Sequence, residues 1–298
     1  MKRIIAMLLA AAMLGVPETF PEDSSPDADI TEETETEEFV FIDTKKIDQE
    51  IKEIIKKSGA KEENISIAVE FTATGETYYY NADKWMYTAS LCKLPVAMTF
   101  AHMLKTGEIE SSPIKGSRTG RTREALALEK ILVNSNYSWY SNTAKKIYGR
   151  VETVKQREQD IEYSGMDEAL IPEDFSTAQK YSARFFLGII EELYENAEEY
   201  PTVVDYMKKA SPKYYLRRKI EKKFEVAQKY GDDRNVVHAA GIIYTDCPIL
   251  IVVMTENKVN STGMSVIGNA AEYFANQAAE WSAAYLASVT EEPQNNAG

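Results

Sequence analysis

The chain has 298 residues, 44% of them hydrophobic, and carries 34 Lys and Arg against 47 Asp and Glu for a net charge of −13. It is apolar enough for a packed core and too long for a disulfide-stapled miniprotein, which excludes global disorder and a cysteine scaffold. Ten of the acids fall within residues 17–38, so the body beyond them is only mildly acidic and offers no electrostatic footprint for nucleic acid.

Lys2-Arg3 and the apolar run Ile4 to Val16 have the charged-then-apolar order of a secretory signal, and the run is too short to cross a bilayer. Ala10-Ala11-Ala12 offers small residues for cleavage, and no Cys follows to accept a lipid. Residues 1–16 are therefore expected to be a signal peptide. Residues 17–38, with Pro17, Pro21, Pro26 and alternating Thr and Glu, are expected to be a disordered acidic linker. One folded domain spans 39–288, and 289–298 is a disordered tail. The protein is expected outside the cytoplasmic membrane, secreted or in the cell envelope, with no stable membrane span once the signal is cut. Cys92 and Cys247 allow at most one disulfide, and their settings, a helix start and a turn before Pro248, predict two free thiols.

Within the domain, Ile47, Ile51, Ile54 and Ile55 recur at helical spacing after Asp43-Thr44, and Gly59 ends the run. The period then switches to two: Ile65, Ile67, Val69 and Phe71 alternate with smaller or polar residues, Thr74-Gly75 turns the chain, and Glu76 to Tyr80 returns as a hairpin. A long helical middle is predicted from about Ser90 to Leu193. In it, Ser176-Thr-Ala-Gln179 reads as a capping box ahead of Phe185, Phe186 and Ile189. Strand character returns at Phe224–Gln228, Asn235–Thr245 and Pro248–Thr255, the last apolar on both faces and so internal to a sheet. Phe274, Ala278, Trp281 and Tyr285 mark one face of a closing helix. The order predicts an α/β (α+β) fold, with one mostly antiparallel five-stranded sheet assembled from both ends of the chain, flanking terminal helices and an inserted all-helical lobe.

Three short motifs sit at the joints of this layout. In Ser90-Leu91-Cys92-Lys93 the hydroxyl and the amine lie one helical turn apart on one face, where a desolvated neutral Lys can take the proton that makes Ser nucleophilic. The free N–H groups of a helix start can also help hold an oxyanion. In Tyr140-Ser141-Asn142 a phenol can relay a proton and an amide can hold a substrate carbonyl, and Ser135-Asn136 competes for the same job. In Lys229-Tyr230-Gly231 a strand-borne ammonium can anchor a carboxylate while the Gly allows close backbone approach. Each motif alone is common.

In this order and these positions the three together resemble the signature of the penicillin-recognising serine enzymes, the class A β-lactamases and D-alanyl-D-alanine peptidases: Ser-x-x-Lys, then Ser-Asp-Asn or Tyr-x-Asn, then Lys-Thr-Gly or a variant. The surroundings, Tyr87 to Pro95, Val226 to Gly231 and His238 to Thr255, are similar to class A-like serine hydrolases of Gram-positive bacteria, and the resemblance spans roughly residues 43–288. It implies a β-lactamase/transpeptidase-like fold, Ser90 as acylated nucleophile and Lys93 as its base. Tyr140 or Ser135 would relay the proton, and Asn142 or Asn136 would bind the substrate amide. Lys229 would steady the relay and the substrate carboxylate, and the N–H groups of Ser90 and of Asp232, which follows Gly231, would form the oxyanion hole. The reaction implied is attack on a β-lactam or D-Ala-type amide carbonyl of a small-molecule or peptidoglycan-derived substrate, by a monomer, without cofactor or metal.

Two departures qualify the resemblance. Tyr230 replaces the small hydroxylic residue usual between the Lys and the Gly, which crowds or removes one carboxylate contact. Between Gly149 and Ser176, where class A enzymes carry the Glu and Asn that hold the deacylating water, there are eight acids and no Asn, and no spacing singles out Glu158, Glu162 or Glu173. The expectation is a protein that is acylated by penicillins and deacylates slowly. The alternative is a non-catalytic cell-envelope binding or sensor protein that keeps the fold. A Ser-His-Asp triad is disfavoured because only His102 and His238 exist, in an apolar helix and a strand, and a metal centre lacks clustered ligands.

Overall fold

The computed structural model describes residues 42–233, 235–256 and 260–290; the expectations for the signal peptide, the linker and residues 291–298 lie outside the described residues. Helix α1 (Thr44–Lys57) begins where the Asp43 carboxylate accepts the N–H groups of Lys45 and Lys46, and it buries Ile47, Ile51 and Ile55. The predicted hairpin follows as β1 (Ile65–Phe71) and β2 (Glu76–Tyr80), paired from Ile67 opposite Tyr80 to Phe71 opposite Glu76. Gly75 takes φ +71° in the turn, a conformation Gly adopts without steric cost.

Three strands complete the sheet: β5 (Glu225–Asp233), β6 (Val236–Tyr244) and β7 (Ile249–Glu256), in the order β2-β1-β7-β6-β5 with every neighbouring pair antiparallel. The sheet is therefore assembled from both ends of the chain, as the strand clusters predict. Its strands are covered on both faces, which the sequence conceals in β1: Ser66, Ala68 and Glu70, the apparently polar side of the hairpin, are all buried. On one face Leu250, Val252 and Met254 of β7 join the core of the helical lobe. On the other, Ile249, Ile251 and Val253 pack with α1 and the closing helix α9 (Asn260–Thr290), which buries Phe274 and Ala278. Helix α9 runs past the expected domain end at 288. Among the described residues no helix is long and apolar enough to cross a membrane.

The lobe inserted between β2 and β5 holds α2 (Lys93–Thr106), α3 (Arg123–Leu132), α4 (Tyr137–Tyr148), α5 (Glu152–Ser164), the short α6 (Phe175–Ala178), α7 (Ala183–Glu195) and α8 (Val203–Met207). Helix α2 is its axis: every residue from Lys93 to Ala101 is buried, so this part of the helix is enclosed all round rather than amphipathic. Two expectations need correction. The N-cap of α7 is Ser182, whose hydroxyl accepts the Phe185 N–H at 3.1 Å; the Ser176 pattern falls inside α6, and Gln179 turns into the left-handed region at φ +48°. The helical middle is also interrupted by a small two-stranded sheet, β3 (Met86–Tyr87) against β4 (Lys180–Tyr181), too short to leave a periodic signal.

Candidate active site

The lobe meets the sheet at a 3-10 turn, Ala89–Cys92, that leads directly into α2. One turn separates Ser90 from Lys93, and the Lys93 Nζ stands 2.8 Å from Ser90 Oγ. The amine is buried, and it donates to the Ser135 carbonyl at 2.5 Å and lies 3.4 Å from Ser135 Oγ. From the other side Lys229, mid-strand in β5 and fully buried, brings its Nζ to 2.9 Å from the same Ser135 Oγ and donates to the Tyr230 carbonyl at 2.6 Å. One hydroxyl thus sits between two amines that are far apart in sequence. Among the described residues, every hydrogen-bond partner of the two amines is a neutral oxygen.

The electrostatics follow from that environment. Burial pushes the Lys93 ammonium below the ordinary lysine value. Lys229 is pushed well below it, first by burial and then by the neighbouring charge of Lys93. A neutral Lys93 keeps two N–H donors and gains a lone pair; with one donor taken by the Ser135 carbonyl, the lone pair can accept the Ser90 proton.

Ser135 holds this position because of its backbone. It lies between α3 and α4 at φ +52°, a left-handed conformation that is costly for a non-glycine residue and clusters at functional sites. The next residue, Asn136, is the N-cap of α4, its Oδ1 accepting the Trp139 N–H at 3.1 Å. Asn136 is exposed and spent on this cap.

Tyr140 and Asn142, the first-named candidates for this middle motif, are not where the relay geometry needs them. Both lie inside α4, and residues two apart on a helix face different sides. Tyr140 borders the Ser90 cleft, with its ring centroid 6.0 Å from Lys93 Nζ, but its hydroxyl donates to Gln156 Oε1 at 3.0 Å. Asn142 opens onto a separate hollow with Phe100, Arg123 and Trp139. The hydroxyl between the amines belongs to Ser135. The signal that distinguishes them is the cap: Asn136 ahead of an aromatic helix leaves Ser135 on the loop and places Tyr140 and Asn142 within the helix.

Gly231 packs directly on the Ser90 turn. A Cβ there would stand 2.9 Å from the Ser90 backbone nitrogen and 3.1 Å from Ala89 Cβ, so the strand reaches the nucleophile only because the position is bare. β5 also runs on through Asp233, farther than predicted, so that Lys229, Tyr230 and Gly231 lie within the strand rather than at its end. Lys229 and Tyr230 alternate across the sheet: Lys229 meets the lobe, and Tyr230 joins the core beneath the terminal helices. Asp232 is exposed, and its carboxylate accepts from Tyr215 Oη at 3.3 Å and Asn260 Nδ2 at 2.6 Å.

The cleft over Ser90 encloses about 360 Å³ and is bordered by Lys93, Tyr137, Tyr140, Gln156, Arg157 and the end of β5. Tyr137, Gln156 and Arg157 carry no motif that would single them out in sequence. Gln156 ties the wall together, accepting from Tyr140 and donating to the Cys92 carbonyl at 3.4 Å. Behind it Asp160 is completely buried, accepting from Tyr181 Oη at 2.6 Å and Arg157 at 3.0 Å; burial pushes its carboxyl up to about 7 against the pull of Arg157.

Glu158 and Glu162 border a different and larger hollow of about 630 Å³, and Glu173 a third beside Phe175. His238 is buried, with Nδ1 accepting the Thr255 N–H at 3.1 Å and Nε2 facing the Tyr87 carbonyl at 2.8 Å; burial lowers its pKa to about 4, so it stays neutral with both nitrogens engaged. His102 pairs with Glu199 on the surface. Both cysteines are free, and no group of three or more metal-type ligands occurs among the described residues.

An antiparallel sheet of this order, with a Ser-x-x-Lys turn wedged between it and a helical lobe, is the architecture of the β-lactamase-like, penicillin-recognising serine enzymes. The chain belongs to the Beta-lactamase enzyme family, which it matches over residues 46–116 and 128–278. No curated protein matches the sequence. Among solved structures it is similar to a β-lactamase from Chitinophaga pinensis (18% identity, TM-score 0.63, covering 78% of this chain and 99% of that one). A β-lactamase from Sphaerobacter thermophilus is comparable (15% identity, TM-score 0.64, 80% and 98%). So is PBP-A (15% identity, TM-score 0.59, 76% and 96%). At these identities the likeness shows the fold.

Proposed function

We propose that the protein is an exported serine hydrolase that opens β-lactam or D-Ala-type peptide amide bonds through an acyl-enzyme on Ser90 and releases the acyl group slowly. The observation that carries this reading is the continuous series of contacts from Ser90 Oγ to Lys93 Nζ, Ser135 Oγ and Lys229 Nζ, at 2.8, 3.4 and 2.9 Å. Ser90 Oγ adds to the carbonyl carbon as its proton moves to Lys93. Ser135 donates its proton to the amide nitrogen as the C–N bond breaks and is reprotonated from Lys93, while Lys229 holds the Ser135 oxygen. In a lactam the amine stays tethered; in a peptide it departs. The N–H groups of Ser90 and Asp232 take the developing oxyanion. Water or an amine then attacks the ester.

Slow release is supported by the cleft wall: among the described residues of 149–176, those that border it, Thr153, Gln156 and Arg157, include no carboxylate to activate water. The signal-like residues 1–16 support export to the cell envelope, with 39–288 as the working domain. Intact-mass spectrometry tests the reading. A penicilloyl adduct on the full chain that is lost in Ser90→Ala is expected, and a protein that never labels is the non-catalytic alternative. Rapid nitrocefin turnover overturns slow release.

A further inference from the structure

With Ser90 as the acylated residue, the walls of its cleft say what the acyl donor carries beyond the reacting carbonyl. The family resemblance assigns a side-chain amide to hold the substrate amide, and neither asparagine named for that task is placed to do it: Asn136 caps α4, and Asn142 opens onto a separate hollow. Counted from Ser135, the third residue of a Ser-Asp-Asn motif falls on Tyr137. A phenol ring therefore stands at the first position of α4, where that motif carries its amide.

Tyr137 borders the Ser90 cleft and is 70% exposed. Five large hydrophobic side chains are exposed among the described residues, and two of them, Tyr137 and Tyr87 of β3, open on this one cleft. Tyr140 lies one helical turn beyond Tyr137 on the same face of α4 and extends the aromatic wall, with ring centroids 6.0 Å apart at 50°. Tyr140 is held in place: its hydroxyl is donated to Gln156, and its ring centroid lies 6.0 Å from the Lys93 amine. The wall beside the nucleophile's base is thus one anchored ring and one ring left in water. Apolar surface exposed inside a cleft is stabilised by whatever ligand covers it.

We infer that the acyl donors of this protein carry a flat apolar ring on the acyl side of the reacting carbonyl, and that Tyr137, beside Tyr140, is the specificity-determining residue that stacks on it. The leaving nitrogen is met by Ser135 Oγ, which Lys229 holds from the sheet side. The acyl side is left to the part of the cleft where α4 meets α5, at Tyr140 and Gln156. A ring placed there covers the exposed face of Tyr137 and gives up no hydrogen bond in doing so. Groups on the nitrogen side of the donor, a carboxylate included, are untouched by this preference.

The inference rests on the proposed Ser90 chemistry, and matched donors separate the two. Benzylpenicillin and the penicillin with an acetamido side chain share the fused rings, the carboxylate and the amide, and differ by one phenyl group. Rates of Ser90 adduct formation on the full chain, read by intact mass, are expected to be about fivefold higher for the phenyl compound, the worth of one aromatic pair. Tyr137→Ala, a change at an exposed position, is expected to bring the ratio of the two rates to within about twofold of one, and Tyr137→Asn to do the same. Tyr137→Phe, which keeps the ring and loses the hydroxyl, is expected to retain the parent's ratio. Adducts from both compounds with no preference for the phenyl group, or a preference that survives both Tyr137→Ala and Tyr137→Asn, overturn this inference alone. No adduct from either compound overturns the Ser90 reading and this inference with it.

Discussion

The close packing of β5 on the Ser90 turn makes Gly231→Ala the sharpest probe of the site. The added methyl carbon would lie 2.9 Å from the Ser90 nitrogen, 3.1 Å from Ala89 Cβ and 3.2 Å from the Leu91 nitrogen. Comfortable contact begins near about 3.5 Å, so roughly half an ångström must be found. The strand cannot yield it cheaply, because β5 is paired with β6 along its whole length and Gly231 itself faces His238. The turn therefore moves and takes Ser90 with it. Overpacking of this kind costs about 1–3 kcal/mol, which in a domain of this size lowers Tm by about 2–12 °C. Since displacing a reacting group by about 1 Å costs about a hundredfold in rate, half of that displacement costs about tenfold. Differential scanning calorimetry and the rate of penicillin adduct formation read the two effects separately. An alanine variant with the parent's Tm and acylation rate refutes the argument that the bare strand position fixes the nucleophile.

Ser135→Ala is expected to slow Ser90 acylation by about a hundredfold or more, while Tyr140→Phe, which deletes only the hydroxyl bound to Gln156, changes it by less than about threefold; the reverse pattern restores Tyr140 as the relay. Lys229→Met is expected to abolish acylation while leaving Tm unchanged or higher, as thermal melts would register, because it removes a buried amine that has no counter-ion among its partners. The same variant alters the pH dependence of unfolding. The folded-state pKa of Lys229 lies well below 10.5, so below that value the unfolded chain binds the extra proton and stability rises with pH toward it; urea titrations should show this rise in the parent and a weaker one in the variant. His238 titrates at about 4 in the folded chain against 6.5 normally, so stability falls as pH drops through that window, by at most about 3 kcal/mol, and unfolding midpoints at pH 7 and 4.5 should converge in His238→Gln.

What could be read ahead of the structure, and what could not, divides along physical lines. Periodicity exposed α1, the hairpin and the late strands, because their apolar residues must face a core wherever the chain goes. Ser90 and Lys93 were legible because a helical turn fixes their separation locally. Lys229 entered only through the order of three motifs, since no local rule brings β5 to α2. The middle residue has two candidates in the sequence because a hydroxyl and an amide near a helix junction fit either stretch; backbone conformation at Ser135 decides between them, and φ +52° at a serine leaves no compositional trace. The cleft wall of Gln156 and Arg157 stayed invisible for a related reason. Its residues are brought to the cleft by the packing of α5 against α4 and α7, not by any motif they carry.

The two lysines also show why the site sits where the sheet meets the lobe. Enclosing an ammonium costs several kcal/mol unless it is paired, and among the described residues no carboxylate bonds to either amine. Carbonyls of Ser135 and Tyr230 and the Ser135 hydroxyl offset part of that cost, but neutral partners hold a neutral amine as well as a charged one. A counter-ion beside Lys93 would stabilise the fold and fix the proton on the amine, leaving nothing to accept the proton of Ser90. The destabilising choice is therefore the functional one: the desolvation that weakens the native state is what lowers the lysine pKa toward the range in which it can serve as a base. It also demands a rigid surround, because the short contact between Ser90 and Lys93 must be held while both border the cleft. The buried stretch of α2 from Lys93 to Ala101 and the continuous β5–β6 pairing supply that rigidity, one behind each amine.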